Sequence, residues 1–454
     1  MNRPLFSVKR AAKRLRTADS RGFAWGFASQ GASSVTNLGL SVLAGRILGP
    51  SGLGSIFVGF SFYLLATGFL RSLITDPLLA ATASLDDDAR RGATRSALTT
   101  TLLLAAVATT LLIVAAITVP SKVGHGLILF VPWLVPALVQ DFWRSVLFRD
   151  RRGAAGALND TLWFAGMAVT LPLVLLVRTD WIVVANWGFG ALVAAAAGLV
   201  QTRVTPAGAR TSVRWWWMRA WKLGRWLAAE TIIYTVASQV LVFIMAGILG
   251  TRPLGGLRAV GTLFGPLTLL APAIALPGLP AISRVSAESA ERAVRLAISI
   301  GVLGVLLTGC YLAVAAALSD QLLEEVFGPS FTQFGALILP IGVGQILIAG
   351  TMGFALLLKA QARGKALLAA RVVGSVSSLV FVLSLAATNG VTGAAWGMAL
   401  AGGVSSLALV ACGLSGWFPP LPPLPVRTPR QVPGLGSTHV IEQAEETARE
   451  SPPN

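Results

Sequence analysis

Among the charged and amide side chains inside long apolar runs of this sequence, twelve stand out, and each needs a reason to be there: Gln30, Asn37, Arg46, Arg71, Asp76, Asp141, Arg144, Asp160, Glu230, Gln239, Arg258 and Gln345. Gln30 belongs to a stripe with Ser33, Ser34, Asn37 and Ser41, spaced by threes and fours and therefore on one helical face. A polar group left unsatisfied in hydrocarbon costs several kcal/mol, so that face meets a partner helix or a water-filled cavity. Serines suit a close packing seam, whereas Gln30 and Asn37 fit seam and cavity equally. Arg71 and Asp76 share the second run, which ends at Pro77; Arg71 either snorkels outward or faces an aqueous groove. Asp141 and Arg144 stand three residues apart and can pair along one helix. Asp160, on the returning run at a similar depth, offers Arg144 a second carboxylate. Such a group of charges is either a structural closure of one end or a gate whose pairs break in one conformation. Glu230, Tyr234 and Gln239 punctuate the seventh run, with Gln239 at the depth of Asn37. Arg258 opens the eighth, and Gln345 shares the tenth with Pro340, Gly342 and Gly344.

No enzyme chemistry assembles from the rest. His125 and His439 are isolated, and Cys310 and Cys412 sit in apolar runs without a motif, which reads as small buried residues. No catalytic residue, metal ligand set or cofactor is expected.

The elements that position these side chains are membrane helices. Apolar residues make up 54% of the 454 positions and charged residues only 12%, about half the usual share for a soluble domain, with mean hydropathy +0.73. The apolar residues collect into runs long enough to cross a hydrocarbon core of ~30 Å. The runs lie near 23–47, 53–78, 97–120, 126–148, 154–177, 181–200, 226–250, 255–282, 293–318, 334–358, 366–387 and 393–413. A net charge of +17 is compatible with a nucleic-acid partner, but its placement points to lipid. With both termini cytoplasmic, thirty of the thirty-six Lys and Arg fall on cytoplasmic segments or the helix ends touching them, as the positive-inside rule requires. Arg214 to Trp226 interleaves aromatic and basic residues beside a span, which fits an interfacial helix better than a single-strand nucleic-acid surface. The first run carries Ser29, Gln30, Ser33, Ser34, Thr36 and Asn37, too polar for a cleaved leader, and is expected to stay as the first span.

An internal copy organises the spans. Ile47-Leu48-Gly49-Pro50-Ser51-Gly52-Leu53-Gly54 returns as Ile248-Leu249-Gly250-Thr251-Arg252-Pro253-Leu254-Gly255, 201 positions later. Both copies join two apolar runs through a glycine turn. Asn186-Trp187-Gly188 and Ala395-Trp396-Gly397 stand at matching places in the two halves. Four prolines, at 266, 272, 277 and 280, predict a broken eighth helix, as transporters use near their sites. The expected organisation is a basic cytoplasmic N-terminus (1–22), a six-helix bundle (23–200), a cytoplasmic interfacial linker (201–225), a second six-helix bundle (226–413) and a disordered tail (414–454). The fold class is all-α: about twelve transmembrane helices in two pseudo-symmetric bundles around a central cavity.

Ala28-Ser29-Gln30-Gly31 with Leu43-Ala44-Gly45-Arg46-Ile47-Leu48-Gly49-Pro50 resembles the start of bacterial polysaccharide flippases. Gln140-Asp141 with Arg144, and Gly255-Gly256-Leu257-Arg258-Ala259 before Gly265-Pro266, resemble the same group. These are the O-antigen and teichoic-acid transporter branch of the multidrug/oligosaccharidyl-lipid/polysaccharide exporter superfamily. The likeness runs from about Arg21 to Gly413, and twelve spans, against the usual fourteen of lipid II flippases, favour that branch. It implies a flippase of the bacterial cytoplasmic membrane. Such a protein moves an undecaprenyl-pyrophosphate-linked glycan from the inner to the outer leaflet by alternating access. Its partners would be the lipid-linked glycan, membrane lipids, a coupling H⁺ or Na⁺, and glycan-assembly proteins, with no nucleic acid. Under that implication Arg46, Arg71, Arg144 and Arg258 are candidates for the pyrophosphate, because the planar guanidinium donates twice. Gln30, Asn37, Gln239 and Gln345 would meet sugar hydroxyls. Asp76, Asp141, Asp160 and Glu230 would serve a coupling ion or a gate.

Three other readings compete. A drug/cation antiporter of the same superfamily needs acidic residues in an apolar cavity, but most embedded acids here have an arginine nearby. A polymerase or ligase acting on lipid-linked sugars needs a large external loop. The longest here, Asp320 to Gln333, has no His or Arg. A scaffold without transport is at odds with polar residues at mid-depth.

Overall fold

Two glycines decide how the chain begins each half. The computed structural model describes residues 5–82, 86–119, 122–208, 221–361 and 363–415. The helix α1 (Leu5–Leu70) breaks at Gly49, whose φ of 67° and ψ of −171° suit a residue without Cβ. Pro50 follows directly, where a helix's first turn tolerates a missing N–H. In the second half Gly250 holds φ 80° and ψ 177° between α8 and α9, numbered below. The last two spans repeat the device inside one helix, broken at Gly390 with φ 60°.

The first lobe continues from α1 through a π-helical turn, Arg71–Thr75, into α2 (Asp76–Ala81). Pro77 cannot donate to the carbonyl four residues back, and the Asp76 N–H instead reaches five back to Arg71 O. The span therefore runs past Pro77 rather than ending there. Next come α3 (Asp87–Thr118), α4 (Lys122–Ile128), α5 (Val131–Arg149), α6 (Gly153–Val177) and α7 (Asp180–Thr202). Asp86 caps α3 by accepting from Ala89 N at 2.8 Å. The expected fourth span, 126–148, is two helices rather than one kinked by proline. Phe130, Tyr63, Phe60, Trp163 and Trp187 form the aromatic core of this lobe, with ring centroids 5.1–6.5 Å apart.

The second lobe holds α8 (Trp221–Leu249), α9 (Thr251–Leu263), a 3₁₀ turn (Gly265–Leu269) and α10 (Leu270–Glu288). It continues as α11 (Ala290–Ala317), α12 (Ser319–Phe327), α13 (Ile338–Gly350), α14 (Met352–Ala360) and α15 (Gly364–Leu414). The eighth span is broken as its prolines predict, at Gly265-Pro266, while the backbone stays helical through Pro272, Pro277 and Pro280. The stretch expected as an external loop is instead α12 followed by a 3₁₀ helix, Pro329–Leu337. Its Phe327, Phe331 and Phe334 are buried in the core. The two Trp-Gly pairs differ in setting: Trp187 is fully buried, whereas Trp396 is 41% exposed. Residues 209–220, with most of the aromatic-basic stretch, and the tail beyond 415 lie outside the described residues. With the breaks at Gly49 and Gly390 counted, the helices among the described residues make twelve spans, six to a lobe.

The lobes meet through the duplicated turn itself. A Cβ on Gly54 would fall 1.7 Å from Thr251 O, and one on Gly255 would fall 1.9 Å from Pro50 O. Gly54 and Gly255 are the same position of the two copies, as are Pro50 and Thr251, so each copy buries its carbonyl against the other's glycine. That reciprocity puts a pseudo-two-fold axis between the two turns.

Candidate functional site

Four spans of the first lobe bring five of the twelve predicted residues, Gln30, Arg71, Asp141, Arg144 and Asp160, into one polar cluster. Arg71 Nε donates to Asp141 Oδ2 at 2.8 Å, and its Nη2 pairs with Oδ1, a bidentate contact. Arg144 Nε stands 3.5 Å from Asp160 Oδ2, and its Nη2 donates to Gln30 Oε1 at 3.1 Å. Ser29 Oγ donates to Asp160 Oδ2 and Gln140 Nε2 to Oδ1, the latter at 2.8 Å. Gln140 also donates to Asn159 Oδ1, and Asn159 Nδ2 reaches Ala194 O on α7.

Of the two carboxylates expected for Arg144, Asp141 and Asp160, the structure gives it the second. Asp141 and Arg144 do not pair along their helix; Arg71 takes Asp141 from across the bundle, and Arg144 turns to Asp160. The π-turn that begins at Arg71 gives a local reason, because an extra residue in the turn rotates the side chains on either side of it. Ser29, Gln140 and Asn159 were not among the expected site residues. Their signal was adjacency, since each neighbours one of the chosen polar positions: Gln30, Asp141 and Asp160.

The cluster has an orientation. The Arg71 side chain is 45% exposed over an Asp141 that is 4% exposed, and Arg144 is 20% exposed over an Asp160 at 2%. The guanidinium groups form the outer layer and the carboxylates the floor. This layer lies beside the other lobe. The Arg71–Thr75 turn packs on α8, and a Cβ on Gly68 would meet Thr235 at 2.6 Å.

Arg258, on α9, reaches into the first lobe. Its guanidinium carbon lies 4.8 Å from the Phe57 ring centroid and 5.1 Å from that of Phe60, within cation–π range. Its Nε donates to Ser41 Oγ at 3.2 Å, and Ser41 in turn donates to Asn37 O. No carboxylate among the described residues comes within ion-pair distance of it.

The remaining expected residues stand apart. Arg46 is exposed and donates to the carbonyls of Val326, at 2.9 Å, and Glu325, capping the C-terminal end of α12. It is a strut between lobes and not part of the polar cluster. Asp76 is partly buried, five residues on from Arg71, with no cation within ion-pair distance among the described residues. Gln239 is partly buried on α8 and donates to Ser238 Oγ at 3.3 Å. Gln345 is partly buried on α13, away from the cluster. The Glu230 side chain lies outside the described residues. Among the described residues no His, Cys, Asp or Glu group has the arrangement of a metal site.

Solved structures share this architecture. The lipid II flippase MurJ in an inward closed conformation superposes with TM-score 0.69 at 12% identity, over 85% of this chain and 86% of that one. An inward-facing multidrug resistance MATE family transporter of the MOP superfamily gives 0.65 at 11% identity, over 86% and 93%. A MOP superfamily transporter from Pyrococcus furiosus gives 0.59 at 13%, over 87% and 94%. No family model and no curated protein matches the sequence. The fold is that of the multidrug/oligosaccharidyl-lipid/polysaccharide exporters, on a multi-pass membrane protein. Flippase and drug-exporter structures both lie within that likeness, so the fold alone does not choose between them.

Proposed function

We propose that this protein is a flippase that carries a polyprenyl-pyrophosphate-linked glycan across the bacterial cytoplasmic membrane by alternating access of its two lobes. The observation that carries the reading is the layering at the interlobe face: guanidinium groups outermost, carboxylates buried beneath, and Arg258 with no acidic partner among the described residues. An anion entering between the lobes meets donors first. In a low-dielectric cleft a guanidinium–phosphate contact is strong and directional. A cation would have to pass Arg71 and Arg144 to reach Asp141 or Asp160, which disfavours the antiporter reading.

The amides extend the same surface. Gln30 already holds Arg144, and Asn37 lies one turn from Ser41 beneath Arg258; both suit glycan hydroxyls. Asp76 and Glu230 are the candidates left for a coupling ion, since Asp141 and Asp160 are engaged. The reciprocal glycine contact supports a state closed on the outer side, given the orientation that the positive charges favour.

Arg258 provides the test. Replacing it with Ala should lower export of lipid-linked oligosaccharide at least tenfold in cells with normal amounts of the protein, with partial recovery for Arg258→Lys. Undiminished export by Arg258→Ala would reject the reading.

A further inference from the structure

Six arginines surround two adjoining cavities where α3 begins and α5 and α7 end; Gln201, which lines the larger, accepts from Asn159 of the polar cluster at 3.1 Å. The larger, about 920 Å³, is lined by Arg91, Arg95, Arg152 and Arg203 with Asp88. The smaller, about 280 Å³, shares Arg91 and Arg152 and adds Arg90 and Arg149 with Asp87 and Asp150. No lysine lines either cavity. Arginine outnumbers lysine thirty to six in the chain, so the all-arginine lining follows its composition; what it supplies is a planar fork able to donate twice to phosphate.

The charges are not cancelled within the cavities. Arg90 pairs with Asp87 at 3.1 Å and Arg149 with Asp150 at 2.8 Å. Arg91, Arg95, Arg152 and Arg203 have no carboxylate within ion-pair distance among the described residues. Two of these are held in place by main-chain carbonyls: Arg95 Nε donates to Thr205 O at 3.2 Å, and Arg152 Nη1 to Gln201 O at 2.9 Å. Each anchor uses one donor of the fork. Arg149 is 8% exposed, and its Nη1 has no partner among the described residues, an unmet donor of the kind that costs ~1–3 kcal/mol when buried. On the rim, Val200 of α7 is 76% exposed, an apolar edge that belongs against acyl chains.

We propose that these cavities bind the phosphate headgroup of an anionic phospholipid from the leaflet on that face, with Arg91 and Arg152 shared between the two chambers. Arginine pockets between helices, bordered by lipid-facing residues, recognise such headgroups through charge and bidentate hydrogen bonds. This site is independent of the transport reading, because it lies on one lobe and its ligand need not move.

The test uses the full chain purified in detergent and titrated with phosphatidylglycerol, phosphatidylcholine or sodium pyrophosphate. Bound lipid is read by native mass spectrometry and stability by the thermal midpoint. Phosphatidylglycerol should be retained at least tenfold better than phosphatidylcholine and should raise the midpoint. The double variant Arg91→Ala/Arg152→Ala should lose that preference while keeping the ligand-free midpoint. Arg292→Ala/Arg295→Ala, which removes equal charge elsewhere, should keep it. Equal retention of the two lipids, an unchanged preference in the first variant, or an equal loss in the second would overturn the proposal. A response to pyrophosphate with none to phosphatidylglycerol would also overturn it, assigning the chamber to a soluble anion.

Discussion

Asp141 and Arg71 form the pair in which fold and function are easiest to separate. Breaking a buried ion pair leaves one charge unpaired, which costs ~3–5 kcal/mol in a dry interior. Arg71 is half exposed, so solvent recovers much of that, and ~1–2 kcal/mol is the expected cost of Asp141→Ala. Removing both partners should restore stability. If Arg71 also meets the transported anion, the double variant Arg71→Ala/Asp141→Ala will fold normally and still export poorly. Thermal midpoint and export measured on both single variants and the double distinguish the roles; export restored together with stability would make the pair purely structural. The spacing of Asp141 and Arg144 led to a different pairing because the three-residue rule speaks only of one helix. The approach of the second span to the fourth is a property of the bundle.

At the scale of elements, the duplicated glycine turn is the clearest device. Two peptide segments touch there with no room for Cβ, so Gly54→Val should hold the lobes apart at that end. Insertion in the membrane should be normal, because the apolar runs are untouched. Export should fall at least tenfold. A thiol placed at Ser51, in a chain with Cys310 and Cys412 replaced by Ala, should react several-fold faster with an impermeant reagent than it does with Gly54 intact. An unchanged rate would mean the contact is not a seal. The turns at Gly49 and Gly250 were readable as a repeated motif, and so was the break at Gly265-Pro266. The helical structure of residues 319–337 was not. A short amphipathic segment with acidic but no basic residues looks like a loop until its phenylalanines have a surface to bury against.

For the whole molecule, the positive charges make a prediction about sidedness. A thiol at Ser319 should be labelled in intact cells, and one at Gly92, beside Arg91, only after the membrane is permeabilised. The reverse pattern would invert the orientation and move the arginine chamber to the other leaflet. The twelve-span architecture followed from hydropathy, because a segment of about twenty apolar residues has few alternatives to crossing the bilayer. The six-and-six division followed from the copy of the glycine motif.

Composition, run length and the repeated turn were enough to determine by themselves a two-lobed helical membrane protein. They act locally, through hydrocarbon thickness and backbone freedom, and so can be read from one strand of text. Which arginine holds which aspartate, that Arg46 caps a helix and stays out of the cluster, and that the guanidinium groups lie above their carboxylates were decided only by the packed bundle. Those outcomes depend on distances between helices far apart in the chain, where a few ångströms and one extra residue in a π-turn choose the partner.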